Sequence, residues 1–478
     1  MCILFRLTAA LLAILATAPV AHAADPQLPA YNADPADTTV SGISSGAFMA
    51  IQLGTAFSKT IKGVGVMSGG PFGCAQSSII PGLSIIAATG PCMTGPAPPL
   101  EPLIKQAEGL VQTGDIDTLT NLRRQKIYVF HGYNDKVVAR SVTDDTVKFY
   151  EHYLGAENKG NIFYQTTYGA GHSQVTLTAG LPCPSNETPY INGCGYDAAG
   201  KILQHMYGAL NPRNPGAPMG KMLKFDQGQF TMLDPPIYSM ANTGYVYVPD
   251  ACAKMEACRV HIALHGCLQD FDDIGDQYIS QAGYNEWADT NRLIVLYPQT
   301  RKIGLFGVDP LASSAIQVNP NACWDWWGYH DLTNSYMTRT GSQMAAVRGM
   351  LTAVTGGFQA APATQTAAIQ AGGPVAPDGS VVSDATDHAA ALVWRSVPGA
   401  TVYRVYRSAE RQGPFTLAGS VAGPSFGDSG LMPSTEYYWQ VSAVVGGVES
   451  PRSVTVAGRT FVTPPACPVP GACALSPH

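Results

Sequence analysis

The pentapeptide Gly42-Ile43-Ser44-Ser45-Gly46 constrains this chain more than any other feature. It stands between a β-branched run, Thr38-Thr39-Val40, and the stretch Ala47-Phe48-Met49-Ala50-Ile51-Gln52-Leu53, which reads as a helix with an apolar face. Glycines two residues before and two after a serine let a strand turn sharply into a helix. Such an elbow lifts the serine Oγ above a sheet and aims the helix N-terminus at a developing negative charge. The setting predicts a strand–turn–helix with Ser44 at its apex; Ser41 and Ser45 are nearby but neither is centred in the motif.

The rest of the chain supplies a sheet for that elbow. Apolar, β-rich runs occur at Gly63–Met67, Lys126–Phe130, Asn161–Thr167, Arg259–Leu264 and Arg292–Tyr297. Helix-compatible stretches alternate with them, at Ala47–Phe57, Ser141–Tyr153, Ala198–Tyr207 and Gln343–Thr355. That alternation predicts a mostly parallel sheet with helices on both faces across residues 24–356. Residues 357–383 shift to Ala, Gly, Thr, Gln and Pro, with Asp378 as the one charge, and read as a linker. Beyond it, Ala389–Trp394, Thr401–Ser408 and Tyr437–Val445 alternate as short strands, giving a small antiparallel sandwich over 384–464 and a tail over 465–478. The segment Leu431–Tyr437, with Trp394 earlier, resembles the fibronectin type III pattern, in which Trp394 and Tyr437 belong to the core.

Residues 1–23 form a signal peptide, with Arg6 as the basic region, Leu7–Ala16 as the apolar core and Ala21-His22-Ala23 as the cleavage site. The apolar core is shorter than the ~20 residues that span a bilayer, and no later transmembrane run is found. The mature chain, about 455 residues, is therefore expected outside the cytoplasm, extracellular or periplasmic, without a membrane anchor. Charged residues make up 13% and the net charge is −6, which disfavours nucleic-acid binding. Of eleven cysteines, Cys2 falls in the signal peptide, and the remaining ten suit an oxidising compartment. Sequence proximity suggests the pairs Cys183–Cys194, Cys252–Cys258, Cys467–Cys473 and Cys74–Cys92, leaving Cys267 and Cys323 to pair by elimination. No His or Cys set has zinc spacing, so neither metal nor cofactor is expected.

A serine hydroxyl needs a base, and the base an orienting carboxylate. In α/β-hydrolases these follow the nucleophile as acid, then histidine, on loops after later strands. Here the run Lys126–Phe130 is followed by His131-Gly132-Tyr133-Asn134-Asp135, and Asn161–Thr167 by Tyr168-Gly169-Ala170-Gly171-His172. The assignment is Ser44 nucleophile, Asp135 orienting acid and His172 general base. Asp144 and Asp145 could replace the acid but read better as residues of a helix start. His131 and His265 compete as bases, less well placed than a histidine ending a Gly-x-Gly-His turn.

The second oxyanion donor is displaced. In the ordinary fold an apolar strand ending in His-Gly precedes the nucleophile. Here the matching segment, Val260–Leu264 then His265-Gly266-Cys267, comes long after Ser44 and is followed by another strand, Arg292–Tyr297. Circular permutation of an α/β-hydrolase accounts for this order. Backbone N–H groups of Ser45 and Cys267 would then form the oxyanion hole, and a Cys267–Cys323 bridge would bring the segment at Trp324 near the site.

These residues carry a family resemblance. The elbow, Asp135 and His172 in their spacing, Leu264-His265-Gly266-Cys267-Leu268-Gln269, Tyr297-Pro298-Gln299 and Asn321-Ala322-Cys323-Trp324-Asp325-Trp326-Trp327-Gly328-Tyr329 together resemble the circularly permuted poly(3-hydroxybutyrate) depolymerases, over residues 34–355. The resemblance implies a serine esterase that cleaves an insoluble or oligomeric polyester to hydroxybutyrate oligomers and monomer; the protein itself is expected to be monomeric. A fibronectin-type module with a signal peptide is similar to the extracellular multidomain members; residues 465–478 after that module leave no room for the separate polymer-binding domain usual in them, and none is expected there. Such a substrate is gripped by apolar and aromatic surface, for which Trp324, Trp326, Trp327 and Tyr329 are candidates, joined by Tyr133 beside the acid, with Trp326 or Trp327 foremost. Tryptophan is more commonly core, so not all four are expected to face the cleft. Two other readings remain: a feruloyl or acetylxylan esterase with the same triad, and a non-catalytic secreted adhesin.

Overall fold

The computed structural model describes residues 25–77, 84–96, 98–303, 319–329 and 335–359 of a first compact unit, and 374–377, 380–394, 397, 399–411 and 413–460 of a second. The signal peptide, the Cys467–Cys473 pair, the tail and most of the linker lie outside the described residues. The first unit has strands β1 Ala33–Ile43, β2 Ile61–Met67, β3 Lys126–Phe130, β4 Ile162–Gln165, β5 Gln174–Thr176, β6 Leu181–Pro182, β7 Ile191–Gly193, β8 Lys221–Asp226, β9 Thr243–Val248, β10 Cys258–Leu264 and β11 Leu293–Tyr297.

Eight of these form one sheet in the order β4-β3-β2-β1-β10-β11-β9-β8. Pairing is parallel from β4 to β11 and antiparallel from β11 through β9 to β8. All five residues of β11 are buried, as are all but Arg259 in β10. Continuous apolar runs of this kind belong to parallel strands covered on both faces. Two apolar clusters provide the cover, one packed around the fully buried helix Ser45–Ala56 and the other around the helix Ala198–Tyr207. The elbow strand β1 is central. The strands on one side of it follow in sequence, while those on the other come from the second half of the chain, with Leu264 opposite Gly42. This is the permuted α/β-hydrolase sheet.

The sequence reading finds Lys126–Phe130 and Ala198–Tyr207 at their observed ends and misses β8, β9, the three-stranded β5-β7-β6 sheet and the helix Leu100–Gln112. Four disulfides join Cys74–Cys92, Cys183–Cys194, Cys252–Cys258 and Cys267–Cys323.

The second unit has β12 Val381–Ala385, β13 Ala389–Val393, β14 Ala400–Ser408, β15 Thr416–Val421, β16 Ser425–Ser429, β17 Glu436–Val445, β18 Val448–Glu449 and β19 Val456–Arg459. One antiparallel sheet is β12-β13-β16, and the other is β15-β14-β17 with β18 and β19 on β17. Leu392, Trp394, Tyr403, Val405, Trp439 and Val441 fill the space between them. The Tyr437 hydroxyl accepts from the Met432 N–H at 3.0 Å, the tyrosine corner of a fibronectin type III sandwich.

Candidate active site

The elbow has the conformation its glycines predict. Ser44 sits at φ 56°, ψ −124°, a strained backbone for a residue with a side chain, and its N–H donates to Met67 O at 3.0 Å. A Cβ on Gly42 would lie 2.2 Å from Gly46 O, and one on Gly46 2.3 Å from His265 O. Both positions therefore exclude any side chain, and the helix start is pressed against the end of β10. The Ser44 hydroxyl makes no capping bond to its own helix, which leaves it turned to a cavity of about 430 Å3.

His172 stands on the same cavity wall. Its Nδ1 is 2.9 Å from Asp135 Oδ2, and both side chains are buried. The other carboxylate oxygen, Oδ1, accepts from the Val137 and Val138 N–H groups at 2.9 and 3.0 Å. Burial alone would raise the Asp135 carboxyl. The His172 charge outweighs it, together with hydrogen bonds from His172, Ser68 and Val138, and the value falls to about 2. The carboxylate is thus ionised and fixed. Among the described residues no hydrogen bond joins Ser44 Oγ to His172 Nε2, a contact that commonly tightens only with substrate bound.

The two loops are tied together by Asn186, which the sequence reading misses. Its Oδ1 accepts from the N–H groups of His172 (2.9 Å) and Lys136 (3.0 Å), and its Nδ2 donates to Asn134 O (3.0 Å). No local pattern signals this, because the contacts cross from one loop to another. The Gly-x-Gly-His turn is explained by Gly171, where a Cβ would fall 2.1 Å from Ser185 O.

The competing residues have other work. His131 Nε2 bonds to Val138 O at 2.9 Å and is 4.0 Å from Asp135 Oδ2. Asp144 accepts from Tyr164 OH at 2.7 Å, and Asp145 pairs with Lys148 at 2.6 Å, both on the helix Arg140–Leu154. His265 is fully buried beside the elbow.

Cys267 lines the cavity next to Ser44, and its N–H, like that of Ser45, has no acceptor among the described residues. Trp326 and Trp327 also line it, with Trp326 stacked on Phe48 at 3.9 Å. The expectation for the other three aromatics does not hold: Tyr329 is buried outside the cavity, its hydroxyl donating to Cys323 O at 3.0 Å. Trp324 is completely buried, its Nε1 donating to His265 O at 3.0 Å, so it braces the loop and does not line the cavity. Tyr133 is 62% exposed and outside the cavity, with its ring lying over Gly169, where a Cβ would meet the hydroxyl at 2.7 Å. Ile85, Ala88 and Met93, from the short helices Ser84–Thr89 and Pro91–Thr94, form a wall that the sequence reading misses. Among the described residues no cluster of His, Cys, Asp or Glu could hold a metal.

Against known proteins, the chain is 40% identical over 432 residues to a poly(3-hydroxybutyrate) depolymerase of Delftia acidovorans, covering 89% of this chain and 80% of that one. The chain belongs to the poly(3-hydroxybutyrate) depolymerase family. It is a carboxylic ester hydrolase that acts on polyester. A polyhydroxybutyrate depolymerase of Talaromyces funiculosus is 37% identical over 344 residues, 71% of this chain and 95% of that one. A solved poly(3-hydroxybutyrate) depolymerase complexed with an R3HB trimer superposes with a TM-score of 0.62 at 36% identity, over 70% of this chain and all of that one. No family model matches the chain.

Proposed function

We propose that the protein is a secreted serine esterase that hydrolyses poly(3-hydroxybutyrate)-type polyester to oligomers and monomer. Ser44 acts as nucleophile, His172 as general base and Asp135 as orienting acid. The observation that carries the reading is that His172, held 2.9 Å from the buried Asp135 carboxylate, shares one apolar cavity with a serine held at positive φ. His172 Nε2 takes the Ser44 proton as Oγ attacks the ester carbonyl. The tetrahedral oxyanion receives the Ser45 and Cys267 N–H groups, each worth about 3 kcal/mol in the transition state. The C–O bond to the alcohol end breaks as His172 protonates that oxygen. Water, deprotonated by the same imidazole, then releases the acyl group from Ser44 and restores the hydroxyl.

Phe48, Ile85, Met93, Trp326 and Trp327 give the cavity an apolar lining suited to a chain whose only polar groups are esters. That lining favours polyester over a feruloyl or acetylated polysaccharide, whose sugar hydroxyls call for a polar cleft. A signal peptide and four disulfides support export to an oxidising compartment. The test is clearing of an amorphous poly(3-hydroxybutyrate) suspension by the mature protein and its Ser44→Ala variant, beside methyl ferulate and acetylated xylan. Clearing by the parent alone is expected. Activity confined to the two controls would move the enzyme to the carbohydrate esterases.

A further inference from the structure

The oxyanion donor at Cys267 belongs to a loop whose backbone has no regular hydrogen bonding, yet two successive peptide groups in it are held by side chains. In the peptide joining His265 to Gly266, the carbonyl accepts from Trp324 Nε1 at 3.0 Å, and the N–H donates to Gln269 Oε1 at 2.7 Å. In the next, joining Gly266 to Cys267, the carbonyl lies 2.7 Å from His265 Nδ1. A trans peptide points its C=O and N–H in opposite directions. Drawing the Gly266 carbonyl onto the imidazole therefore turns the Cys267 N–H away from His265.

The tautomer follows from the neighbours. Thr300 Oγ1 donates to Ala322 O at 2.5 Å, while the Thr300 N–H donates to His265 Nε2 at 3.2 Å. Nε2 is thus an acceptor, and the proton resides on Nδ1. Burial pushes the imidazole down to about 4, so it stays neutral at neutral pH. Gln269 reaches further: its Nε2 donates to Pro189 O and Tyr190 O, both at 2.9 Å. Tyr190 packs edge-on against His172 with ring centres 6.0 Å apart. One buried amide therefore ties the oxyanion loop to the loop flanking the base.

We infer that His265 and Gln269 are positioning residues for the oxyanion hole: His265 fixes the peptide that presents the Cys267 N–H, and Gln269 fixes its distance from His172. The inference rests on the proposed roles of Ser44 and Cys267. Neither side chain touches substrate, so its loss is felt when negative charge develops on the carbonyl oxygen rather than when the ester binds.

The test measures kcat and KM for p-nitrophenyl butyrate, with the thermal midpoint, on the full chain and its His265→Leu, His265→Asn, Gln269→Leu and Ser44→Ala variants. Leucine removes the donor; asparagine carries an N–H at the position of Nδ1 and restores it. The expected result is a kcat about 100-fold lower in His265→Leu and Gln269→Leu with KM nearly unchanged, and recovery to within about tenfold in His265→Asn. A folded Gln269→Leu with parental kcat, beside an inactive Ser44→Ala, would overturn the clamp alone. So would His265→Asn as slow as His265→Leu, or losses in KM instead of kcat. Should His265→Leu fail to fold, the Asn and Gln269 variants still decide. Turnover by Ser44→Ala would overturn the nucleophile assignment, and the clamp with it.

Discussion

Replacing Asp135 with asparagine tests the proposed triad most directly, because the surroundings fix which way the new amide must face. Asp135 Oδ1 accepts two backbone N–H groups, from Val137 and Val138, so the amide oxygen in the Asp135→Asn variant is held there. Its NH2 is then directed at His172 Nδ1, where the carboxylate oxygen stood 2.9 Å away. A donor facing Nδ1 forces the imidazole proton onto Nε2, and Nε2 can no longer accept from Ser44. The expected loss in kcat is about ten-thousand-fold, as for the same change in another serine triad, equivalent to about 5 kcal/mol of transition-state stabilisation. The shape is unchanged, so the thermal midpoint should move little and KM should hold. Initial rates on p-nitrophenyl butyrate at pH 7–8, with circular dichroism melts, measure both. A folded variant that loses less than tenfold would refute the tautomer argument and release Asp135 from its role.

Three further outcomes follow from the same geometry. Gly46→Ala sets a methyl 2.3 Å from His265 O and 2.5 Å from Leu264 O, both backbone, and should cost about 3 kcal/mol in denaturant unfolding; a change under about 1 kcal/mol would contradict that fit. Trp326→Ala removes the Phe48 stack and part of the cavity wall, costing about 3 kcal/mol and raising KM for hydroxybutyrate oligomers, whereas Tyr133→Ala should leave stability within about 0.5 kcal/mol and kcat/KM unchanged; equal effects would mean that the wrong surface has been taken for the cleft. Asp270 is buried, and burial, a side-chain hydrogen bond with Asp273 and the Asp273 and Asp272 charges push it up to about 7. Its folded state therefore holds a proton that the unfolded chain has released between roughly pH 4 and 7, and stability falls as pH rises through that window. Asp270→Asn should narrow the gap in thermal midpoint between pH 5 and pH 8; identical gaps in parent and variant would exclude Asp270 as a source of the pH dependence.

The parts of the fold legible in the sequence are those that local chemistry determines. Leu293–Tyr297 is an unbroken apolar run, and a run of that kind has few alternatives to a covered parallel strand. The elbow is legible because each glycine answers a specific close approach. The helix Leu100–Gln112 is obscured by Pro102 and Gly109, both poor helix formers, and its apolar stripe of Leu103, Ile104 and Ala107 is short. Among the tryptophans, sequence ranks Trp326 and Trp327 ahead of Trp324 but gives no geometric ground for excluding Trp324, because 319–329 has no period. Asn319 sets its path by accepting from the Cys323 N–H and donating to Cys323 O. Asn186, and the reach of Gln269 to Pro189 and Tyr190, lie beyond local reading because those bonds go to backbone far away in sequence.

Permutation leaves the site intact because the site depends on which strands are neighbours, not on the order in which the chain supplies them. Gly42 faces Leu264 across the central pairing, and the elbow meets the oxyanion loop there whichever half of the sheet is made first. The entropic cost of bringing such distant segments together grows only logarithmically with their separation, so stability is little affected. The rate is another matter, since pairing β1 with β10 joins residues more than two hundred apart and must await both halves of the sheet. The contacts that hold the loop are mostly side chain to backbone. Trp324 to His265 O, His265 to Gly266 O and Gln269 to Gly266 N–H, with the Cys267–Cys323 bridge behind them, do for a remote segment what short connections do elsewhere.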